Sequence, residues 1–328
     1  MEELMTINNS EIITDLLEMK MSDSRFMVAN TQSIPYQLLK QKCTIPVFSK
    51  DNESTISHQE FIDIVGDAAS LAFPSERILD PAIRVSHPIK GRIPSAVGKP
   101  AIELKEHERT IYFERAAFVY EIPSIEDTVN GNRLSLTVGG VRAYNAENLY
   151  GKKTEERFKV FIGFKNWVCI NLCVSSDGFK EEIRVRTTQE LLNRVFQLFA
   201  MFNFQNQLTS LRNLNEHGLT EHQFAQLIGR LRMYPFLTSR EKLGIPALEL
   251  GDSQISTVIR NYYKDQSFKR DDDGNINLFR FYNLLTGANK SSYIDTFLDR
   301  TVNALSFTQV LLNSLRTGQY LWYLDHGQ

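Results

Sequence analysis

Two glycine-led segments carry residue types suited to gripping a polyanion. Gly139-Gly140-Val141-Arg142-Ala143-Tyr144-Asn145 and Gly163-Phe164-Lys165-Asn166-Trp167 each set a cation, an amide and an aromatic ring within a few residues. The glycines beside them permit a close backbone approach. Lys152, Lys153, Arg157 and Lys159 lie between the two segments. Arg157 and Lys159 alternate with Phe158 and Val160, so on a strand those cations share one face. If the alternation continues unbroken, Lys165 and Trp167 join them. Such a face would hold a phosphate backbone while Tyr144 or Trp167 stacks a base. The plainer alternative is a bulge and a turn whose outer face is simply solvated.

A second group sits near the C-terminal end. Gly287-Ala288-Asn289-Lys290-Ser291-Ser292 resembles a phosphate loop only superficially. Asn289 stands where the glycine before the lysine belongs, Leu284 replaces the upstream glycine, and a helix pattern precedes it, which excludes nucleotide hydrolysis on this segment. Lys290 and the amides after Ser291 nevertheless fall at an expected helix N-terminus, where anions are attracted. Arg300 is the other cation on that side. The competing reading is an interhelical turn with a solvated lysine.

The remaining chemistry is sparse. Cys169 and Cys173, four apart in an apolar run, would point the same way about 13 Å apart on a continuous strand, as core residues. Cys43 lies between Lys42 and Thr44 without a catalytic signature, and no cysteine or histidine pair has zinc-ligand spacing. Asp271-Asp272-Asp273-Gly274-Asn275 would need acids at the loop's first and last positions to hold calcium. Lys269 and Arg280 stand there, so a turn is the better reading. No nucleophile, base and orienting group recur together, so no cofactor is expected, and a small-molecule enzyme, whose pocket would have to be assembled from residues distant in sequence, ranks third behind the binding readings.

The 328 residues, 42% hydrophobic with 21 Phe, suffice for a sizeable core in one or two domains. No apolar run reaches the length of a membrane span, and the acidic opening MEELMTINNSEIITDLLEMK is no secretory leader. Three cysteines are too few for a disulfide scaffold, which points to a cytoplasmic protein. The net charge of −2 argues against indiscriminate polyanion binding, but it divides unevenly: −7 over residues 1–80, +4 over 81–186 and +1 over 187–328.

The elements that must position these residues follow from periodicity. Helices are expected over Glu11–Met21 and Pro35–Lys42. Another begins at the capping box Ser57-x-x-Glu60 and ends before Pro74. Residues Ala82–His87 alternate as a strand, and Pro88 to Pro100 reads as a punctuated loop. Thr110–Ile122 reads as a strand ended by Pro123, paired through a loop of several residues with Leu134–Val138. Arg157–Val174 and Ile183–Arg186 extend an antiparallel sheet. From Thr187 onward the pattern is helical, with capping boxes at Thr187-x-x-Glu190 and Thr220-x-x-Gln223. Further helices are expected over Asp252–Lys264, Asn277–Thr286, Ser292–Ala304 and Ser306–Leu315, with Gly287 as a C-cap and Ser292-x-x-Asp295 as a capping box. The expected class is α+β: an N-terminal helical segment (1–80), an antiparallel sheet region (81–186) and a helical C-terminal region (187–328).

Five strings resemble one family: Ile45–Asp63, Arg84–Pro94, Gly139–Lys153, Phe161–Gly178 and Tyr282–Arg300. It is a domain-of-unknown-function family of proteins from anaerobic gut bacteria, and the resemblance spans nearly the whole chain. It implies no reaction and transfers no catalytic residue. Val168-Cys169-Ile170-Asn171 and YNLLTG are more distantly similar to phage- and plasmid-associated proteins, which implies a DNA-processing setting. The leading expectation is single-stranded nucleic-acid binding in mobile-element maintenance or recombination. Arg142, Tyr144, Lys165 and Trp167 would line the sheet side of a groove, with Lys290 and Arg300 on its helix side. The alternative is a protein-interaction or structural module, acting with a protein partner or as a homo-oligomer. No membrane contact is expected.

Overall fold

The computed structural model describes residues 26–42, 55–96, 98–146 and 155–325. The readings at Glu11–Met21, Cys43, Lys152 and Lys153 lie outside them. The fold is α+β. Strands β1 (Gln32–Ser33), β2 (Ala82–Val85), β5 (Arg115–Val129), β6 (Asn132–Ala143), β7 (Glu156–Asn166) and β8 (Leu172–Cys173) follow one another across an antiparallel sheet. A further strand, β9 (Phe179–Val185), pairs with β7 as well. Strands β3 (Pro88–Arg92) and β4 (Arg109–Phe113) form a separate two-stranded ribbon at the end of the sheet where β5 begins.

The helices are α1 (Tyr36–Lys42), α2 (His58–Ala72), α3 (Thr188–Met201), α4 (Phe204–Asn215), α5 (Glu221–Met233), α6 (Asp252–Lys264), α7 (Leu278–Asn289) and α8 (Ile294–Thr317). Strands β10 (Gly218–Leu219) and β11 (Ile276–Asn277) pair between them.

The longest hairpin is tighter than the sequence reading. β5 does not stop at Pro123. It runs on to Val129, and a register shift between Ile122 and Glu126 absorbs the residue that lacks an N–H. The turn is only Asn130-Gly131, at φ 50° and 72°, the double positive φ that a two-residue type I′ turn requires. The expected single strand over 110–122 is broken at Glu114, and the expected loop after Pro88 contains β3.

Strand alternation gives the sheet two faces. On the first, Phe118, Tyr120, Leu136, Val138, Val160 and Ile162 enter the main core with side chains of α2, α3, α4 and α7. On the second, Ala117, Val119, Val141, Phe161, Leu172 and Val174 pack on Ile294, Phe297 and Leu298 of α8 and on Phe26 and Met27. Gly139 and Gly140 do permit a close approach, but by the protein itself. A Cβ on Gly139 would lie 2.1 Å from the Phe118 carbonyl oxygen, and one on Gly140 would lie 2.4 Å from the Phe61 ring.

At the C-terminal end, two expected helices are one. α8 runs 24 residues without a break near Leu305, about 36 Å at ~1.5 Å per residue. Its first half crosses the second sheet face. Its second half contributes Leu305, Phe307 and Leu311 to the main core, and Gln309 donates to Ser210 Oγ of α4 at 2.8 Å. The local signals before it misled: Gly287 lies inside α7, and the N-cap of α8 is Tyr293 with no side-chain cap. Ser292 instead donates its hydroxyl to Asn289 Oδ1 at 2.7 Å.

Candidate functional site

Arg157, Lys159, Lys165 and Trp167 belong to one sheet face, as alternation implies. The apolar middle of that face lies under α8, so the row is divided into two groups about 20 Å apart along β7.

At the β5-start end, Lys159 holds the helix. Lys159 Nζ donates to the Asp295 carbonyl oxygen at 2.9 Å and pairs with the Asp299 carboxylate. Arg157 Nε lies 3.2 Å from Glu182 Oε1. Glu182 also takes a hydrogen bond from Arg184, which holds its carboxyl below the usual range. Arg115 Nε stands 4.0 Å from Asp295 Oδ1, too far for a hydrogen bond, and both atoms are buried without a partner, as is Asp299 Oδ1. Val141, Ala143, Arg157, Phe158, Lys159, Glu182 and Asp295 line a cleft of about 420 Å³ here. It is a mixed-charge cleft, not a basic groove.

At the other end, Trp167 is 43% exposed, but its ring is already engaged. The indole Nε1 donates to Ser135 Oγ at 2.9 Å, and Ser135 donates to Glu121 Oε1 at 2.8 Å. Lys165 pairs with the same Glu121 carboxylate, and Arg133 lies 4.3 Å over the indole while pairing with Glu126. The turn beyond Trp167 also corrects the expectation of one strand through Val174. Asn166 Oδ1 accepts from Val168 N, and Asn166 N donates to Asn171 O. Cys169 therefore sits in a turn and Cys173 on β8, not on one continuous strand. Burial pushes both thiols up, Cys169 to about 11, so neither is poised as a thiolate.

Arg142 and Tyr144 lie elsewhere. One residue out of phase with Val141, Arg142 faces the main core and its side chain is fully buried. It pairs with Glu156, donates to the Ile56 carbonyl oxygen, and lies 4.4 Å over the Tyr144 ring and 4.5 Å over Phe158. The His58 ring packs against Tyr144 at a tilt of 39°, with centroids 4.4 Å apart, and its Nε2 lies 2.7 Å from the Phe113 carbonyl oxygen. Burial, and then the Arg142 charge, lower its pKa to about 3, so it is neutral. This cluster fastens the start of α2 to the sheet.

Lys290 caps a helix end. Its Nζ donates to the Cys169 carbonyl oxygen, its own carbonyl accepts from Val28 N and Ala29 N, and burial draws its ammonium below the usual range. Arg300 Nη1 donates to Ser292 Oγ at 2.9 Å and Gln254 Oε1 at 3.2 Å. The six sequence-nominated residues thus occupy three regions: Lys165 with Trp167, Arg142 with Tyr144, and Lys290 and Arg300 at the α7–α8 corner.

Sequence reasoning missed a different group. In the β3–β4 register, Arg92 stands directly opposite Arg109, and Lys90 opposite Ile111 on the same face. Ile89, Gly91, Thr110 and Tyr112 form the other face. Arg92 donates to the Lys99 carbonyl oxygen. The side chains of Lys90 and Arg109 make no hydrogen bond or ion pair among the described residues. The Lys99–Glu108 pair closes the base of the long excursion between the two strands, and Ile102 projects from it at 91% exposure. The available signal was the Lys90-x-Arg92 alternation after Pro88, hidden by reading Pro88 to Pro100 as a loop.

Among the described residues, no group of three or more His, Cys, Asp or Glu side chains converges to hold a metal ion. No described helix is long and apolar enough to cross a membrane. A family model matches residues 6–324: DUF3871, "Domain of unknown function, B. Theta Gene description". No curated protein and no solved structure matches.

Proposed function

The chain belongs to that domain-of-unknown-function family, and we propose that it is a non-enzymatic nucleic-acid-binding protein whose phosphate contacts come from the β3–β4 ribbon. The observation that carries this reading is the Arg92–Arg109 pair. Like charges directly opposite on a ribbon cost stability, and among the described residues no carboxylate pairs with either arginine. A phosphate chain laid across the face neutralises both arginines and Lys90 together. Mobile-element maintenance or recombination is the setting such binding would serve.

The test is fluorescence anisotropy of labelled single- and double-stranded oligonucleotides across a salt series. Binding should weaken steeply with salt and prefer single strands. Replacing Lys90, Arg92 and Arg109 with Ala should flatten the log–log slope by about 2–3, since each phosphate contact contributes roughly 0.7–0.9. Absence of binding at low salt removes the reading.

A second reading, docking of a protein partner, draws on Met233, Phe236 and Leu243, exposed on and just after the end of α5 with Phe236 at 89%. Pull-down with Phe236→Ser beside the wild type separates it: a partner held only by the wild type favours docking.

A further inference from the structure

The helical region contains an internal symmetry. α4–β10–α5 and α6–β11–α7 are two helix–loop–helix units joined at their loops, where Leu219 pairs with Ile276 and Gly218 with Asn277. The two exits correspond position for position. After each paired apolar residue comes an N-cap, Thr220 or Asn277, whose side-chain oxygen accepts from the amide three residues on. That third helical position holds Gln223 in one unit and Arg280 in the other. Phe224 and Phe281 follow, meeting edge-on at 6.2 Å. Cross-loop bonds tie the units together: Leu278 N to His217 O at 2.8 Å, and Asn277 Nδ2 to Asn215 Oδ1 at 3.0 Å.

This is the layout of paired calcium loops. Such a loop has twelve positions, with ligands at the first, third, fifth, seventh, ninth and twelfth and a glycine for the sharp turn at the sixth. Gly274, at φ 88°, supplies the turn. Counting from it, Asp271 and Asp273 stand third and fifth, and Asn275 and Asn277 seventh and ninth. Lys269 then falls first and Arg280 twelfth. In a calcium loop the twelfth residue is the bidentate acid that closes on the ion. Here its replacement reaches into the loop, and Arg280 Nη1 lies 2.7 Å from Asp271 Oδ1 with the arginine side chain largely buried. The loop also closes on itself, with Asp271 N donating to Asn275 O at 2.7 Å.

We propose that residues 204–289 form a paired calcium-loop module of EF-hand type in which the Arg280 guanidinium takes the place of the metal ion. The module keeps its shape in any concentration of calcium. Its hold on α8, which lies against α4 and α7, is permanent rather than switched. The inference is independent of what the ribbon binds.

Restoring the acids tests it. In the full chain, Lys269→Asp with Arg280→Glu should create a calcium site of millimolar affinity or tighter, read as a calcium-dependent rise in Tm and in helical circular dichroism that sodium at equal ionic strength does not reproduce. The wild type should show neither change. If the double variant is unfolded in chelator, calcium should refold it. A double variant indifferent to calcium, folded or not, overturns the proposal, and so does a wild type whose Tm rises with calcium. A cycle of Arg280→Gln and Asp271→Asn gives the second measurement: the Tm losses should overlap, and fully additive losses would count against a resident guanidinium.

Discussion

The sheet end around Lys159 and the neighbouring ribbon hold similar numbers of cations and use them in opposite ways. Around Lys159, cations are set against carboxylates: Lys159 holds Asp299 of α8, and Arg157 pairs with Glu182 of β9. On the ribbon, Arg92 faces Arg109, and among the described residues no acid pairs with either. The formal charge of a segment therefore says little about its availability to a partner. What decides is whether the fold has already spent the charge on itself.

The sharpest way to break this contrast is at the most committed cation. Arg142→Leu takes the guanidinium away from the half-buried Glu156 carboxylate, which still accepts from Ile56 N, and should lower unfolding free energy by about 3 kcal/mol in urea titration. Phe297→Ala, which loosens α8 over the second face, should cost about 3 kcal/mol and leave the ribbon's binding unchanged at temperatures where the variant is folded.

The buried His58 adds a pH signature to the committed region. The folded chain keeps the ring neutral down to about pH 3, whereas the unfolded chain protonates it near its ordinary value of 6.5. The unfolded state binds more protons in that window, so stability falls as pH drops from about 6.5 toward 3. Denaturation curves of His58→Gln and wild type should differ in slope there and run parallel above pH 7.

The smallest expected effect is the most discriminating. Arg109→Glu places an opposite charge across from Arg92 and should raise stability by about 0.2–1 kcal/mol while weakening oligonucleotide binding. A variant that loses both stability and binding would return the ribbon to the structural class of Arg142.

Much of the local structure was legible in the residues. The capping box at Ser57, the N-caps at Thr187 and Thr220, and the Asn130-Gly131 turn report their own conformations through side-chain geometry and allowed φ. The shared face of Arg157, Lys159, Lys165 and Trp167 followed from a period of two. What that face meets did not. Phe161 and Phe297 belong to one buried cluster through tertiary packing that leaves no local pattern, so the crossing helix was invisible. Arg142 is a different case, because alternation already places it out of phase with Val141, and its burial beside Glu156 comes from a strand neighbour the period does not identify. The ribbon was obscured by its prolines, which read as loop although Pro88 occupies a strand's first position, where a missing N–H is tolerated.

The path of α8 also sets a timetable for synthesis. Lys159 and its contact Asp295 are 136 positions apart. At ~5–20 residues per second, a ribosome needs on the order of ten seconds to make the intervening chain. During that interval Val119, Val141 and Phe161 have been made but have no helix to cover them. The nascent sheet is greasy on one side until its last long helix emerges, and a chaperone bound in those seconds would occupy the surface that α8 later takes.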